Sequence, residues 1–348
     1  MDNLHNKLQK KHNRAERSWS QVAPFIIQVR VPVPFSLKWV NSYLLLENKG
    51  TFTIVDPGLR TAEAEQLWES TMNELSLDWK QCSQIIVTHQ HPDHYGLAGY
   101  VQQKSKAPVL ITKASKDYTD KLWGAGRPHF EREMRELLIA HGTPDTMVDA
   151  IINNLREFQE RVEPQPQVVY IEAGQVLMAG DRYWDLIHTE GHAFGGIMLH
   201  DKQNGLLICG DQVLSKITPH VGVVAGEHRP VLAQFMENLK KISTLNVSLV
   251  LPGHRDVFAE FAERIESILQ HHERRLSAML TYVEQEKKVD AYTCCEWLFG
   301  KHLRNQPHNL RFALTETIAH LQYLQQRNLI VETTDSRGMI HYCNNERR

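Results

Sequence analysis

Apolar residues recur along this chain with two periods, and the switches between them lay out its elements. Between residues 24 and 56, "FIIQVRVPV", "NSYLLLEN" and "GTFTIVD" are short apolar runs cut by turn residues, which predicts β-strands. "AEAEQLWESTMNEL" changes to helical spacing, with Leu67 and Leu75 on one side. "SQIIVT" predicts a buried strand, "HYGLAGYVQQKS" the start of a helix, and "APVLIT" the next strand. Strand–helix–strand alternation of this kind predicts a layered α/β fold.

Residues 113–163 break the rhythm. Phe130, Met134, Leu137 and Leu138 recur at helical spacing, and so do Met147, Val148, Ile151, Ile152, Leu155 and Phe158. "GTPD" between the two sets predicts a turn and an N-cap. We expect at least two amphipathic helices here, lying either as an ordinary hairpin on the core or as a lid over a site. Strands resume with "QVVYIEA", "YWDLIHT", "GIMLHD", "GLLICGD" and "LVLPGH". A long helix is predicted over 260–284, with Ile265, Ile268, Leu269, Leu276, Met279, Leu280 and Val283 on its apolar face. The remainder reads as helix, helix and hairpin, the second helix being "LTETIAHLQYLQQRN" and the hairpin "LIVETTDSRGMIHYC" with a Gly-containing turn. That order is a winged-helix pattern.

Composition narrows the class. A chain of 348 residues with 42% hydrophobic content can bury a full core, as one large domain or as one domain plus an appendage. A net charge of −2 gives no general polyanion-binding surface. Residues 261–348 carry 12 Lys/Arg against 11 Asp/Glu, whereas a groove-binding module should be far more basic. Nucleic acid is therefore disfavoured as a partner. The C-terminal unit is expected to dock on the catalytic part, to shape one wall of its site, or to dimerise. Five cysteines without a CxxC pair suggest reduced thiols and a cytoplasmic protein. Cys209 is expected to be a small buried hydrophobe, and Cys294 and Cys295 core and surface neighbours. The first 20 residues lack an apolar h-region, so no signal peptide is expected. No apolar run is long enough to predict a membrane span, so no membrane partner is expected.

The candidate chemistry is concentrated in "THQHPDHYG", where His89, His91, Asp93 and His94 follow the strand "SQIIVT" directly. Strand ends in α/β sheets are where sites are built. Imidazole and carboxylate together make a metal-ligand set. His89 and His91 can project from the loop towards one ion, and Asp93 and His94 towards a second. Three further polar residues end apolar strands: His192 in "HTEGHAFGG", Asp211 in "LLICGDQ" and His254 in "VLPGHRD". His188, on the strand four residues before His192, is expected to be structural. Tyr95 and His220 stay open as pocket residues. There is no GxSxG motif.

Asp56 in "IVDPG", the HxHxDH loop, His192, Asp211 and His254 stand in the order of the five motifs of the metallo-β-lactamase-fold hydrolase superfamily, which residues 24–258 resemble. Asp rather than Cys at 211 and His rather than Glu at 91 make the chain more similar to the glyoxalase II-like branch than to the true β-lactamases or the flavodiiron proteins. The C-terminal unit resembles the winged helix of lactamase-like endoribonucleases. The resemblance implies an α/β fold, a four-layer αββα sandwich, with a small C-terminal winged-helix domain. It implies that His89, His91 and His192 hold one metal, that Asp93, His94 and His254 hold another, and that Asp211 bridges them. Asp56 would orient a ligating histidine. Two divalent cations are implied, zinc first, with iron or manganese as alternatives. Glu190 stands where the family often has proline, which keeps the ligand spacing but makes the turn less rigid.

We expect a polar N-terminal segment over 1–20, a catalytic domain over 21–260 with its helical insertion at 113–163, and a long helix plus winged-helix-like unit over 261–348. Two cations of this kind hold a hydroxide for attack on a carbonyl or phosphorus centre. Asp93 is expected to hydrogen-bond that hydroxide and to help protonate the leaving group. The expected function is hydrolysis of a small-molecule ester or thioester, as in glyoxalase II. The alternatives are a phosphodiesterase or endoribonuclease of the same fold, and a non-catalytic metal-stabilised binding protein. A homodimer stays open.

Overall fold

The computed structural model describes residues 18–345, so most of the expected polar segment 1–20 lies outside the described residues. Period-two alternation builds two β-sheets. In the strand Trp39–Leu46, Leu44 packs outward with Trp68 and Met72, while Tyr43 and Leu45 point inward to meet Trp184 and Leu199. Ile85 and Ile86 divide in the same way. The first sheet has seven strands in chain order, from Trp19–Ala23 to Val168–Ile171. Its first four strands pair antiparallel and the rest parallel. The second sheet runs in reverse chain order from Leu249–Pro252 through Leu206–Gly210, Gly196–Asp201 and Arg182–Thr189 to Val176–Ala179.

One apolar core fills the space between the sheets. A second lies between the first sheet and the helices Ala62–Leu75 and Ala98–Ser105. A third lies between the second sheet and the helices Val231–Ile242 and Phe261–Glu286. The result is the expected four-layer αββα sandwich. Ala62–Leu75 starts at Thr61, whose hydroxyl accepts from the Ala64 amide, and carries Glu63 and Glu65 in its first turn. Its Trp68 indole donates to the Pro57 carbonyl at 2.8 Å, which ties the helix to the loop that carries Asp56.

The insertion holds three helices, Lys113–Leu122, Arg127–Ala140 and Asp145–Glu157. The last two match the predicted apolar sets. The first was not legible, because "KASKDYTDKL" is mostly polar and buries only Ser115, Tyr118 and Thr119. The "GTPD" turn is present, but Pro144 occupies the cap position and no side chain caps the helix. Val231–Ile242 was also missed, although Val231, Leu232, Phe235, Met236, Leu239 and Ile242 form a buried helical stripe that periodicity could have found.

The C-terminal part runs helix Phe261–Glu286, strand Lys288–Val289, helices Ala291–Phe299 and Pro307–Gln326, then strands Ile330–Thr334 and Ile340–Asn344. Its three strands form a sheet with the last strand in the middle. Gly338, at φ +82°, closes the hairpin, where the Asp335 carboxylate accepts from the Arg337 and Met339 amides. Cys294 and Cys295 are both fully buried, contrary to the expected core and surface pair, because both pack into the third core. All five cysteines are free. Among the described residues no helix is long and apolar enough to cross a membrane.

Candidate metal centre

The strand Cys82–Ile86 delivers the chain to Thr88, and the loop beyond it carries the histidine motif. Pro92 at the first position of the short helix Pro92–Tyr95 presets its turn, and the His94 and Tyr95 amides close it on the His91 carbonyl. Asp93 and His94 thereby leave one helical turn beside the loop that carries His89 and His91. His192 and Asp211 arrive from loops after strands of the second sheet, and His254 from the loop after Leu249–Pro252.

These side chains converge. His89 Nε2 lies 3.0 Å from His91 Nδ1. Asp211 reaches His94 Nε2 at 3.4 Å through one oxygen, and His254 Nε2 at 3.4 Å and His192 Nε2 at 3.7 Å through the other. Asp93 Oδ2 lies 3.1 Å from His254 Nε2 and 4.0 Å from His94 Nε2. Ligand atoms at about 2.0–2.1 Å from a tetrahedral cation stand about 3.3–3.4 Å apart, so these spacings suit shared cations. His89, His91 and His192 form one compact donor set, and Asp93, His94 and His254 another. Asp211 lies between them. The Nε2 atoms of His94, His192 and His254 and one Asp211 oxygen are buried without a hydrogen-bond partner. Buried polar atoms are rarely left so, and a metal would satisfy all four. The donor chemistry therefore fits a divalent-metal centre.

The opposite ring nitrogens are tied to the frame. His94 Nδ1 lies 2.9 Å from Asp56 Oδ2. Asp56 also accepts from the Thr88 amide and hydroxyl, each at 2.7 Å. Its oxygens are thus spent on positioning, and its backbone adopts φ +54° to reach them. The His192 Nδ1–H donates to the His220 carbonyl at 2.8 Å and the His254 Nδ1–H to the Trp39 carbonyl at 2.9 Å. Asn41 holds the His254 loop by donating from Nδ2 to the Pro252 and Arg255 carbonyls, and the Tyr43 hydroxyl donates to Pro252. Asn41 and Tyr43 were missed because strand residues without a motif carry no sequence signal, and Thr88 because only the ligand-type residues of its stretch stand out. Gly253 is required by space: a Cβ there would stand 2.2 Å from Asp211 Oδ1 and 2.6 Å from His94 Cε1.

Electrostatics separate the two donor sets. Burial works against charge on His94 and His254, yet the neighbouring carboxylates, Asp211 foremost, outweigh it and raise both. For Asp93 and Asp211 the cost of burial is outweighed by the facing histidines, which hold both below the usual carboxylate range. Burial, with neighbouring histidines, lowers His89 and takes His91 down to about 3. Burial lowers His192 as well, against the pull of Asp211. Burial thus favours neutral imidazoles in one set, while the carboxylates of the other favour positive charge.

His188 is exposed and pairs with Glu190 at 2.6 Å, outside the cluster. The Tyr95 hydroxyl turns away to Gln165 at 2.6 Å. His220 lies in the cavity wall. Cys209 is buried, and burial pushes its thiol up. The cavity above the centre measures about 530 Å³. Its floor includes His91, Asp93, His192, Asp211 and His254. The insertion supplies Tyr118, Trp123, Phe130 and Phe158 to its walls, and the C-terminal helix Pro307–Gln326 supplies His308, Arg311 and Phe312.

Residues 39–254 match the metallo-beta-lactamase superfamily, and residues 276–345 match the metallo-beta-lactamase-like C-terminal domain. The chain belongs to the metallo-beta-lactamase superfamily, whose members are generally hydrolases that bind divalent metals. It is similar to the crystal structure of a metallo-beta-lactamase family protein from Thermus thermophilus, with 28% identity and a TM-score of 0.83, covering 93% of this chain and 100% of that one. A beta-lactamase domain protein from Burkholderia ambifaria has 27% identity and a TM-score of 0.82, over 98% of this chain and 99% of its own. An uncharacterized protein of Aquifex aeolicus is 26% identical over 166 residues, 47% of this chain and 61% of its own length. The human acyl-coenzyme A thioesterase MBLAC2 is 38% identical over 58 residues, 17% of this chain and 21% of its own. The chain therefore spans less than two thirds of either relative.

Proposed function

We propose that this chain hydrolyses small esters or thioesters with two bound divalent cations, in the manner of the glyoxalase II-like branch. The observation that carries the proposal is the cavity of about 530 Å³ with a metal-ligand floor and aromatic walls, a size and lining suited to a small acyl substrate. His89, His91 and His192 would hold one cation, Asp93, His94 and His254 the other, with Asp211 between them. Such cations, zinc first and iron or manganese as alternatives, supply polarisation of a carbonyl and acidification of a water. Asp56 keeps His94 in the ring orientation that presents Nε2 to the centre. Asp93, at the cavity floor, takes a proton from the attacking water and returns it to the departing oxygen or sulfur. The aromatic walls keep water from the acyl portion. The similarity to an acyl-coenzyme A thioesterase over 58 residues supports the thioester reading.

The endoribonuclease alternative draws on the C-terminal unit, whose element order we read as a winged helix. Against it, the helix in the recognition position is buried from Ala313 through Leu321 and lines the cavity, so its faces are already taken. The test is a zinc-loaded preparation assayed on a thioester and aryl-ester panel, beside bis(p-nitrophenyl) phosphate and single-stranded RNA, with His91→Ala as the blank. Carbonyl turnover that disappears in the blank is expected. Phosphodiester turnover alone would overturn the proposal.

A further inference from the structure

Arg311 is the one Lys or Arg in the lining of the cavity among the described residues. Its Nε is buried without a hydrogen-bond partner, and no carboxylate of the described residues pairs with its guanidinium. Its ring contact is Phe312, 4.3 Å from Cζ to the centroid. The remaining acidic groups of the lining are committed. Asp93 and Asp211 belong to the floor, and Glu316 is held by Arg275. His308 adds no charge to the wall: burial, with Arg311 beside it, takes it down to about 4, and its ring stacks between Phe35 and Phe158 at 5.4 Å from each. Burial lowers Arg311 itself to about 10, which leaves it charged at neutral pH.

A guanidinium presents five donors in a planar fork that matches a carboxylate or phosphate. Holding it in an apolar wall without a counter-charge costs free energy unless a ligand supplies one. Its place is also linked to the metal centre. His220 Nε2–H donates to the carbonyl of Phe312, the next residue, at 3.0 Å, and the His220 carbonyl accepts from His192 Nδ1. Arg311 and the floor residues His91, Asp93, His192, Asp211 and His254 line one cavity of about 530 Å³, so a single compact molecule in it faces both.

We propose that Arg311 anchors an anionic group, a carboxylate or a phosphate monoester, at the end of the substrate remote from the scissile carbonyl. The preferred substrates are then compact anionic esters or thioesters. This rests on the hydrolase reading above and assigns its specificity to the C-terminal helix, which supplies the anchor.

The experiment compares p-nitrophenyl hexanoate with mono-p-nitrophenyl adipate, which share a leaving group and chain length and differ in a terminal carboxylate. A third ester carries a terminal phosphate and separates the two anion sources. On the zinc-loaded full chain, kcat/KM for the better charged ester should exceed that for the neutral one by about tenfold to a hundredfold. In Arg311→Gln that ratio should fall towards one, and Arg311→Lys should keep part of it as a point charge. A wild-type ratio of one or below would overturn the proposal. So would an Arg311→Gln protein that loses activity on all esters with the ratio preserved, since that marks a structural role. Calorimetric binding of adipate and phenyl phosphate gives an independent readout. Affinity for the better ligand should drop at least about tenfold in Arg311→Gln, and equal affinities would count against the anchor. Arg311-dependent anion binding without carbonyl turnover would sink the hydrolase reading and leave the anion site standing.

Discussion

The floor of the cavity is made of loops that leave both sheets, whereas its walls are made of helices laid across them. At the metal centre His94, His192 and His254 present Nε2 atoms without a hydrogen-bond partner, and their Nδ1 atoms are tied to backbone carbonyls or to Asp56. In the walls the side chains are mostly aromatic and aliphatic, held by packing. Directional bonds fix a donor to within tenths of an ångström, which metal chemistry needs. Packing is tolerant of substitution, which suits a surface that chooses among substrates. The difference implies that changes to the floor affect metal and rate together, and changes to the wall affect selectivity first.

The most severe way to break the floor is to remove a ligand. His254→Ala should lose metal at its site and reduce kcat/KM by more than about a hundredfold, given that supporting residues alone cost about 10–100-fold. Metal analysis beside the ester assay checks it, and full activity with full metal content would remove His254 from the ligand set. Asp56→Asn tests the layer behind the floor. It should weaken metal affinity by about 10–100-fold, read by chelator competition, because His94 loses the carboxylate that fixes its ring.

Acid should separate the frame from the centre. His141 and His320, both fully buried outside the floor, are lowered by burial to about 4 and about 3. The unfolded chain, with ordinary histidines near 6.5, binds more protons than the folded one below that pH. Their contribution is fully present above about pH 6.5 and is lost as pH falls towards 4, by about 1.4 kcal/mol per pH unit for each group. Urea midpoints at pH 7.5 and 5 measure it, and His141→Asn should blunt the loss. The mildest change is in the wall. Phe158→Ala opens the cavity beside His308, so the preferred acyl chain should lengthen with about tenfold changes in kcat/KM and unchanged metal content. A chain-length series on the variant decides whether the wall selects at all.

The elements and the floor differ in how legible they were. Strands of Val, Ile and Leu and the long helix Phe261–Glu286 followed from periodicity, and every histidine and aspartate expected at the centre is brought to it. The polar helix Lys113–Leu122 lacked an apolar stripe, and Cys294 and Cys295 looked alike in sequence on either side of a surface that turned out not to separate them. Asn41 and Tyr43 hold the His254 loop from more than 200 positions away, a relation that no local pattern encodes.

By itself the sequence determined the α/β class, the donor types and their order, because a metal demands specific atoms and a strand end presents them. Only the tertiary structure decided that Arg311, from a helix more than 50 residues beyond His254, shares a cavity with that centre. Packing of distant helices depends on shape and burial summed over many side chains, so the wall of the site exists only once the chain has closed around it.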